Sequence, residues 1–235
     1  MSAGVPLLQA QAVHKHYHGV QALQGVSIEV QAGSITGLIG PNGSGKSTLF
    51  DCITGFQAKD QGKVLLQGQD ISGMAPHQIA RLGLRRTFQQ LRFFPELSVR
   101  DHLLTAAQSS PGFGYFQEMF STRAVRQHEA QMRELAQTVL HDIRLEAVAD
   151  HAAAGLSYGQ KKLMELGMAL MTQPKLLMLD EPMAGVNPTL VEGLKQNLLD
   201  IRARGVSLLI VEHNLKLVFE ICDTIYVLDQ GKLLA

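Results

Sequence analysis

Gly40-Pro41-Asn42-Gly43-Ser44-Gly45-Lys46-Ser47-Thr48 carries the clearest chemistry in this chain. Its spacing is G-x-x-x-x-G-K-[ST]. It sits between an apolar run, Ile35-Thr36-Gly37-Leu38-Ile39, that reads as a buried strand, and Leu49-Phe50-Asp51-Cys52-Ile53, which reads as a helix start. In that context the pattern is a phosphate-binding loop. Glycines let the backbone turn back and point its N–H groups inward. The following helix adds its positive N-terminal end, which favours polyphosphate charge. Lys46 should reach the β- and γ-phosphates, and Ser47 should offer its hydroxyl to Mg²⁺. From average residue usage, the pattern's four fixed positions arise by chance in a chain this long on the order of one time in a hundred. The flanking strand and helix lower that figure further.

Leu176-Leu177-Met178-Leu179-Asp180-Glu181 has the form of a Walker B strand. A buried strand ending in two carboxylates puts them at the sheet's carboxyl edge, where α/β folds bind ligands. Asp180 can hold a Mg²⁺ shell, usually through water. Glu181 is then placed to polarise an attacking water.

These residues need a scaffold, and the chain is long enough to supply one. Its 235 residues suffice for one large domain or two small ones. Hydrophobic residues make up 46% and charged residues 18%, which excludes a disordered chain. Lys+Arg 21 balances Asp+Glu 21, so no charge surplus argues for nucleic-acid binding. Cys52 and Cys222 lie far apart in apolar-rich segments and read as buried free thiols of a reducing compartment. No apolar run approaches the length of a bilayer span. The N-terminus lacks a basic n-region and a long apolar h-region, so a cytoplasmic protein is expected.

Leu7 to Val13, Val26 to Val30 and Gly62 to Leu66 read as strands. Pro76 to Leu82 reads as a short helix with proline in its first turn. Gln108 to Gly114 reads as a loop. Arg123 to Ile143 and Gln160 to Met171 are rich in helix formers. Beyond them Leu176 to Leu179, Val206 to Val211 and Thr224 to Leu228 alternate as strands with helices at Val191 to Arg204 and Leu215 to Cys222. Strands alternating with helices imply right-handed crossovers and a parallel sheet. The helical middle third breaks that alternation. The expected fold is therefore α/β: one domain over 1–235, with a parallel-sheet core, an N-terminal antiparallel β part, and a helical subdomain inserted at about 92–165.

Leu156-Ser157-Tyr158-Gly159-Gln160 precedes a helix and lies between the phosphate loop and the Walker B strand. Here the chain resembles the ATP-binding cassette (ABC) ATPases, whose signature is L-S-G-G-Q. Tyr158 stands where the usual pattern has glycine. Ser157 and the helix N-terminus read as an anion site. The resemblance implies a RecA-like core, ATP and Mg²⁺ as ligands, and ATP hydrolysis. It also implies that Ser157, Gly159 and Gln160 contact nucleotide held by a second ATPase subunit, identical or different. Arg86-Thr87-Phe88-Gln89-Gln90 looks like the Q-loop, with Gln89, or the adjacent Gln90, as the metal- and water-sensing glutamine. Val211-Glu212-His213-Asn214 looks like the switch segment, with His213 contacting the γ-phosphate. Ala184-Gly185-Val186-Asn187-Pro188 stands at the D-loop, with Asn187 in place of the usual aspartate. Tyr17 resembles the aromatic residue that stacks on adenine. His14, His16 and His18 alternate, so a strand would put all three on one face, as a polar face or a metal site.

The motif order covers almost the whole chain. The closer likeness is to ATP-binding subunits of the branched-chain amino acid uptake family, which also serves urea and short amides. It is carried by the signature, the segment 184–188, Glu212-His213-Asn214-Leu215-Lys216, Ile221 to Leu228, and the long stretch between Gln89 and the signature. That likeness implies separate permease subunits, a solute-binding protein beyond them, no nucleic-acid partner, and a peripheral place on the inner face of the membrane. Arg92-Phe93-Phe94-Pro95 has the composition of an interface anchor for a permease helix, although one of the two phenylalanines can equally fill the core. Gly231 to Ala235 looks like the start of a final strand beyond which family members usually continue; a truncated chain or a short natural form would both end so. A non-transport ABC ATPase of the DNA-repair or translation type is the alternative, but such proteins usually carry a long coiled coil or two cassettes in one chain. A small-molecule kinase would share the phosphate loop without needing the signature or the histidine.

Overall fold

The computed structural model describes residues 5–87, 93–107, 123–186 and 188–234, with backbone alone at 188–190. Gln89, Arg92, Asn187 and the expected loop at 108–114 lie outside the described residues. In chain order the elements are β1 (Leu8–Tyr17), β2 (Val20–Val30), β3 (Ile35–Ile39), α1 (Lys46–Ile53), β4 (Gln61–Leu66), β5 (Gln69–Asp70), α2 (Pro76–Arg81) and β6 (Leu84–Arg86). Then come α3 (Val99–Ala107), α4 (Arg123–Asp142) and α5 (Tyr158–Leu170). The chain closes with β7 (Leu176–Asp180), α6 (Pro188–Ala203), β8 (Ser207–Val211), α7 (Leu215–Ile221), β9 (Thr224–Asp229) and β10 (Lys232–Leu233). The chain divides into two compact units. The first comprises Met1–Gln89, Pro174–Ala184 and Leu198–Ala235, the second Gln90–Gln173 and Gly185–Asn197.

The first unit is α/β. One sheet has the order β10-β9-β3-β8-β7-β6; β9, β3, β8, β7 and β6 run parallel, and β10 returns antiparallel beside β9. Every residue of β3, β7 and β8 is buried, which explains their nearly unbroken apolar sequences. A second, antiparallel sheet has the order β2-β1-β4-β5. Helix α1 contributes Leu49, Phe50 and Ile53, all fully buried, to a core shared with Leu8, Val26, Leu38 and Leu209. The phosphate-loop segment therefore sits between a strand and a helix that are both anchored in this core.

The second unit is helical in its described residues. Leu103 of α3, Val139 and Leu140 of α4, Ile143, and Met164 of α5 form its core. Gly167 lets α5 approach closely: a Cβ there would stand 2.6 Å from Ile143 Cδ1 and 2.9 Å from Leu103 Cδ2. Among the described residues no helix is long and apolar enough to cross a membrane.

Candidate functional site

The loop after β3 turns on backbone geometry that most residues avoid. Gly45, the N-cap of α1, has φ 108°, and a Cβ on it would fall 2.5 Å from Ala22 O. The loop is also tied to the end of the chain. Gly231 N–H donates to Ser44 O at 2.9 Å, and Gln24 N–H donates to Gly231 O at 2.7 Å. The β9–β10 turn thus lies directly against the loop and β2. Lys46 is 6% exposed, and its Nζ donates to Gly40 O and Pro41 O, each at 2.8 Å. Burial lowers the lysine pKa, while the charges of Glu181 and Asp180 act to raise it. Lys46, Ser47, Thr48, Asn42, Gly43 and Glu181 line one cleft of about 590 Å³.

Tyr17 ends β1 near the Thr48 side chain and has Lys15 Nζ 5.2 Å from its ring centroid. The residue is 38% exposed and so offers a flat platform next to the loop. Of the three histidines nearby, His14 and His16 lie within β1 and alternate with buried Val13 and Lys15. Register shifts interrupt β1 between Ala10 and Val13, Val13 and His14, and Lys15 and His16. His18 lies in the following turn at φ 41°. His16 pairs with Asp60, whose carboxyl is held at about 2, first by the His16 N–H and then by Lys15.

The carboxylates stand at the end of β7. Asp180 is 3% exposed; its Oδ2 accepts from Arg86 Nη2 at 3.1 Å, while buried Oδ1 has no hydrogen-bond partner among the described residues. Arg86 also pairs with Asp51 on α1, one helical turn beyond Ser47. Burial raises the Asp180 pKa, opposed by Arg86. A buried oxygen lacking a partner is costly, and a hard cation beside it would satisfy it. The donor set therefore fits Mg²⁺ in the cleft that Ser47 lines.

Glu181 has φ 50°, a conformation uncommon for a residue with a side chain. Its N–H donates to Val211 O at 2.9 Å, and its Oε1 meets His213 Nε2 at 2.6 Å. The first unit thus brings together Tyr17, the loop residues, Asp180, Glu181 and His213. Ser157, Gly159 and Gln160 belong to the second unit. There Ser157 caps α5: its Oγ accepts from Gln160 N–H at 3.3 Å, and Gln160 Oε1 accepts from Ser157 N–H at 2.9 Å. Tyr158 lies against Gly185, where a Cβ would stand 3.1 Å from Tyr158 Cε1. Phe93 packs on the helical core with Lys161 Nζ 5.0 Å from its ring centroid, whereas Phe94 is 65% exposed.

Residues 23–184 match the family model described as ABC transporter. The chain belongs to this family. The ABC cassette fold is shared with a solved ATP-binding cassette of an ABC transporter in its ADP conformation, at a TM-score of 0.86 and 38% identity over 99% of this chain and 91% of that one. The chain is 38% identical to the high-affinity branched-chain amino acid transport ATP-binding protein BraF of Pseudomonas aeruginosa, covering 98% of this chain and 91% of BraF. It is 41% identical to a probable branched-chain amino acid transport ATP-binding protein LivG of Archaeoglobus fulgidus, covering 97% and 88%. A dimeric cassette bound to ADP and phosphate shares the fold at 21% identity and a TM-score of 0.78. As an ABC ATPase, the chain belongs with nucleotide-binding, ATP-hydrolysing proteins.

Three groups in this ABC cassette gained no role from sequence alone. Arg86 and Asp51 frame Asp180, and their pairing joins three elements that are far apart in the chain. The i, i+4 spacing of Ser47 and Asp51 was the available signal. Glu212 is 3% exposed, and its carboxylate is a backbone acceptor. An acid directly after a fully apolar strand was the sign that it would be buried.

Proposed function

We propose that this chain is the ATP-hydrolysing subunit of an ABC importer and drives uptake of branched-chain amino acids, or related amides or urea, through separate permease subunits. The convergence of the phosphate loop with Asp180, Glu181 and His213 supports the chemistry. The printed functions of BraF and LivG support the solute class.

In this reading the triphosphate enters the cleft and its oxygens replace Gly40 O and Pro41 O as partners of Lys46. The backbone N–H groups at the start of α1 hold the β-phosphate. Tyr17 carries the adenine. Ser47, Asp180 and Gln89 would hold Mg²⁺, which neutralises developing phosphate charge. Glu181 orients a water and takes its proton as the water oxygen bonds to the γ-phosphorus. The bond from that phosphorus to the β–γ bridging oxygen breaks, giving ADP and phosphate. His213 holds Glu181 and contributes a donor to the γ-phosphate. Ser157, Gly159 and Gln160 close the site on nucleotide held by a second ATPase subunit. The subunit sits on the inner face of the membrane through its permeases, and the exposed Phe94 segment meets a permease helix.

Mg-ATP turnover by the purified chain tests the reading. Lys46→Ala should weaken ATP binding and abolish hydrolysis. Survival of both in the variant would overturn it.

A further inference from the structure

Glu212 stands between the two residues to which the proposed function assigns the chemistry, yet that mechanism gives it no role. Its carboxylate is buried, and its bonds run to main-chain donors of two separate segments. Oε1 accepts from Met183 N–H at 2.8 Å. Oε2 accepts from His213 N–H at 3.1 Å, with Asn214 N–H at 3.5 Å. Met183 lies two residues after Glu181, and His213 follows Glu212 directly.

The surrounding backbone shows what this arrangement does. Strands β7 and β8 pair in parallel as far as Asp180 opposite Val211. Just past that point Glu181 N–H donates to Val211 O, and Ala184 N–H closes a turn on Glu181 O at 3.1 Å. The next tie between the two segments comes from the Glu212 side chain. It continues the pairing beyond the strand ends, where both chains have left the sheet. The 2.6 Å contact between Glu181 and His213 spans the same two segments.

Burial of a carboxylate is unfavourable unless its oxygens are hydrogen-bonded. Here burial raises the Glu212 pKa, and the N–H groups of Met183, Asn214 and His213 oppose that shift. A neutral residue could fill the space. An acceptor with two oxygens can serve donors on both segments at once.

We infer that Glu212 is a positioning residue, which fixes the turn carrying Glu181 against the segment carrying His213 so that the two side chains meet. This rests on the catalytic roles proposed above for Glu181 and His213. Glu212 itself touches no reacting atom.

The experiment compares the full chain with Glu212→Gln, Glu181→Gln and the double variant. Glutamine keeps an acceptor for Met183 N–H but turns an NH₂ group toward the N–H of His213. Turnover of Glu212→Gln should fall about 10- to 100-fold, the scale of a small misplacement of catalytic groups. Its ATP dissociation constant, measured by calorimetry, should stay within about threefold of wild type, because the phosphate loop is untouched. The double variant should be no more than about threefold slower than Glu181→Gln alone, since Glu212 acts through that residue. Wild-type turnover in Glu212→Gln, a parallel loss of ATP affinity, or multiplied losses in the double variant would overturn the inference. If Glu181→Gln alone retains full turnover, the catalytic reading fails instead, and the inference falls with it. Should Glu212→Gln fail to fold by circular dichroism, Glu212→Asp is measured in the same way. It keeps the charge but withdraws the carboxylate by one methylene, and the same loss confined to turnover is expected.

Discussion

Glu181 Oε1 and His213 Nε2 are 2.6 Å apart, joining the first residue past β7 to the second residue past β8. The glutamate side chain thus has a defined direction with the cleft open. The contact also bears on the role proposed for His213: a phosphate oxygen that engages the same Nε2 competes with Glu181 for it.

Glu181→Gln should keep ATP binding and lower turnover by roughly two to four powers of ten, the usual span for a lost general base. The same variant should form an ATP-dependent dimer, because bound nucleotide persists for the second subunit's Ser157 to engage. Steady-state hydrolysis and sedimentation with and without Mg-ATP read the two effects. Near wild-type hydrolysis, or a dimer indifferent to ATP, would count against the assignment.

Phe94→Asp should impair assembly with the permease and leave hydrolysis by the isolated chain within about twofold, as expected of an exposed substitution. Phe93→Asp should instead destabilise the chain, since Phe93 packs on the helical core. Co-purification with the permease and thermal denaturation separate the two. Normal transport by Phe94→Asp would exclude this surface.

Burial pushes the Cys52 thiol up to about 11 and the Cys222 thiol to about 12, against an ordinary value of 9.0. At pH 8 the native protein should alkylate with iodoacetamide roughly two powers of ten more slowly than the unfolded chain, because the thiolate is the nucleophile. The folded state holds its thiol protons more tightly than the unfolded state. The resulting stability is fully present below pH 9 and is lost as pH rises through 11 to 12. Cys52→Ala should flatten that alkaline decline. Denaturant midpoints across the range measure it, and an unchanged slope would refute the linkage.

The strands that hold the loop and the carboxylates were legible because they are buried on both sides. Unbroken apolar runs such as Leu176 to Leu179 leave little choice of assignment. The α/β class followed from their alternation with helices. Less was legible where burial is one-sided or interrupted. The first half of β2, Val20 to Gly25, escaped because Gln21, Gln24 and Gly25 obscure its period. Helix α3 escaped because nine residues give a weak pattern. The histidine stripe is shorter than its alternation suggests, because β1 ends at Tyr17 and His18 falls in the following turn. Within the site, a fixed spacing marked the loop, an apolar run ending in two acids marked Asp180 and Glu181, and likeness to the ABC switch segment marked His213. Arg86 and Glu212 act on partners distant in sequence, and only the folded chain shows which donors and acceptors they meet.

The hydrogen bond from Gly231 to Ser44 bears on the order of events during synthesis. The phosphate loop begins at residue 40, but its backing at residues 228–231 is translated only after the whole stretch between them. A ribosome-bound fragment that ends before β9 can hold every residue of the loop and still lack the strand beside β3 and the turn behind Ser44. Contacts so far apart in sequence form late. Nascent chains of this protein should therefore acquire nucleotide affinity abruptly, once β9 and the turn after it have emerged, and not gradually as the loop and its helix emerge.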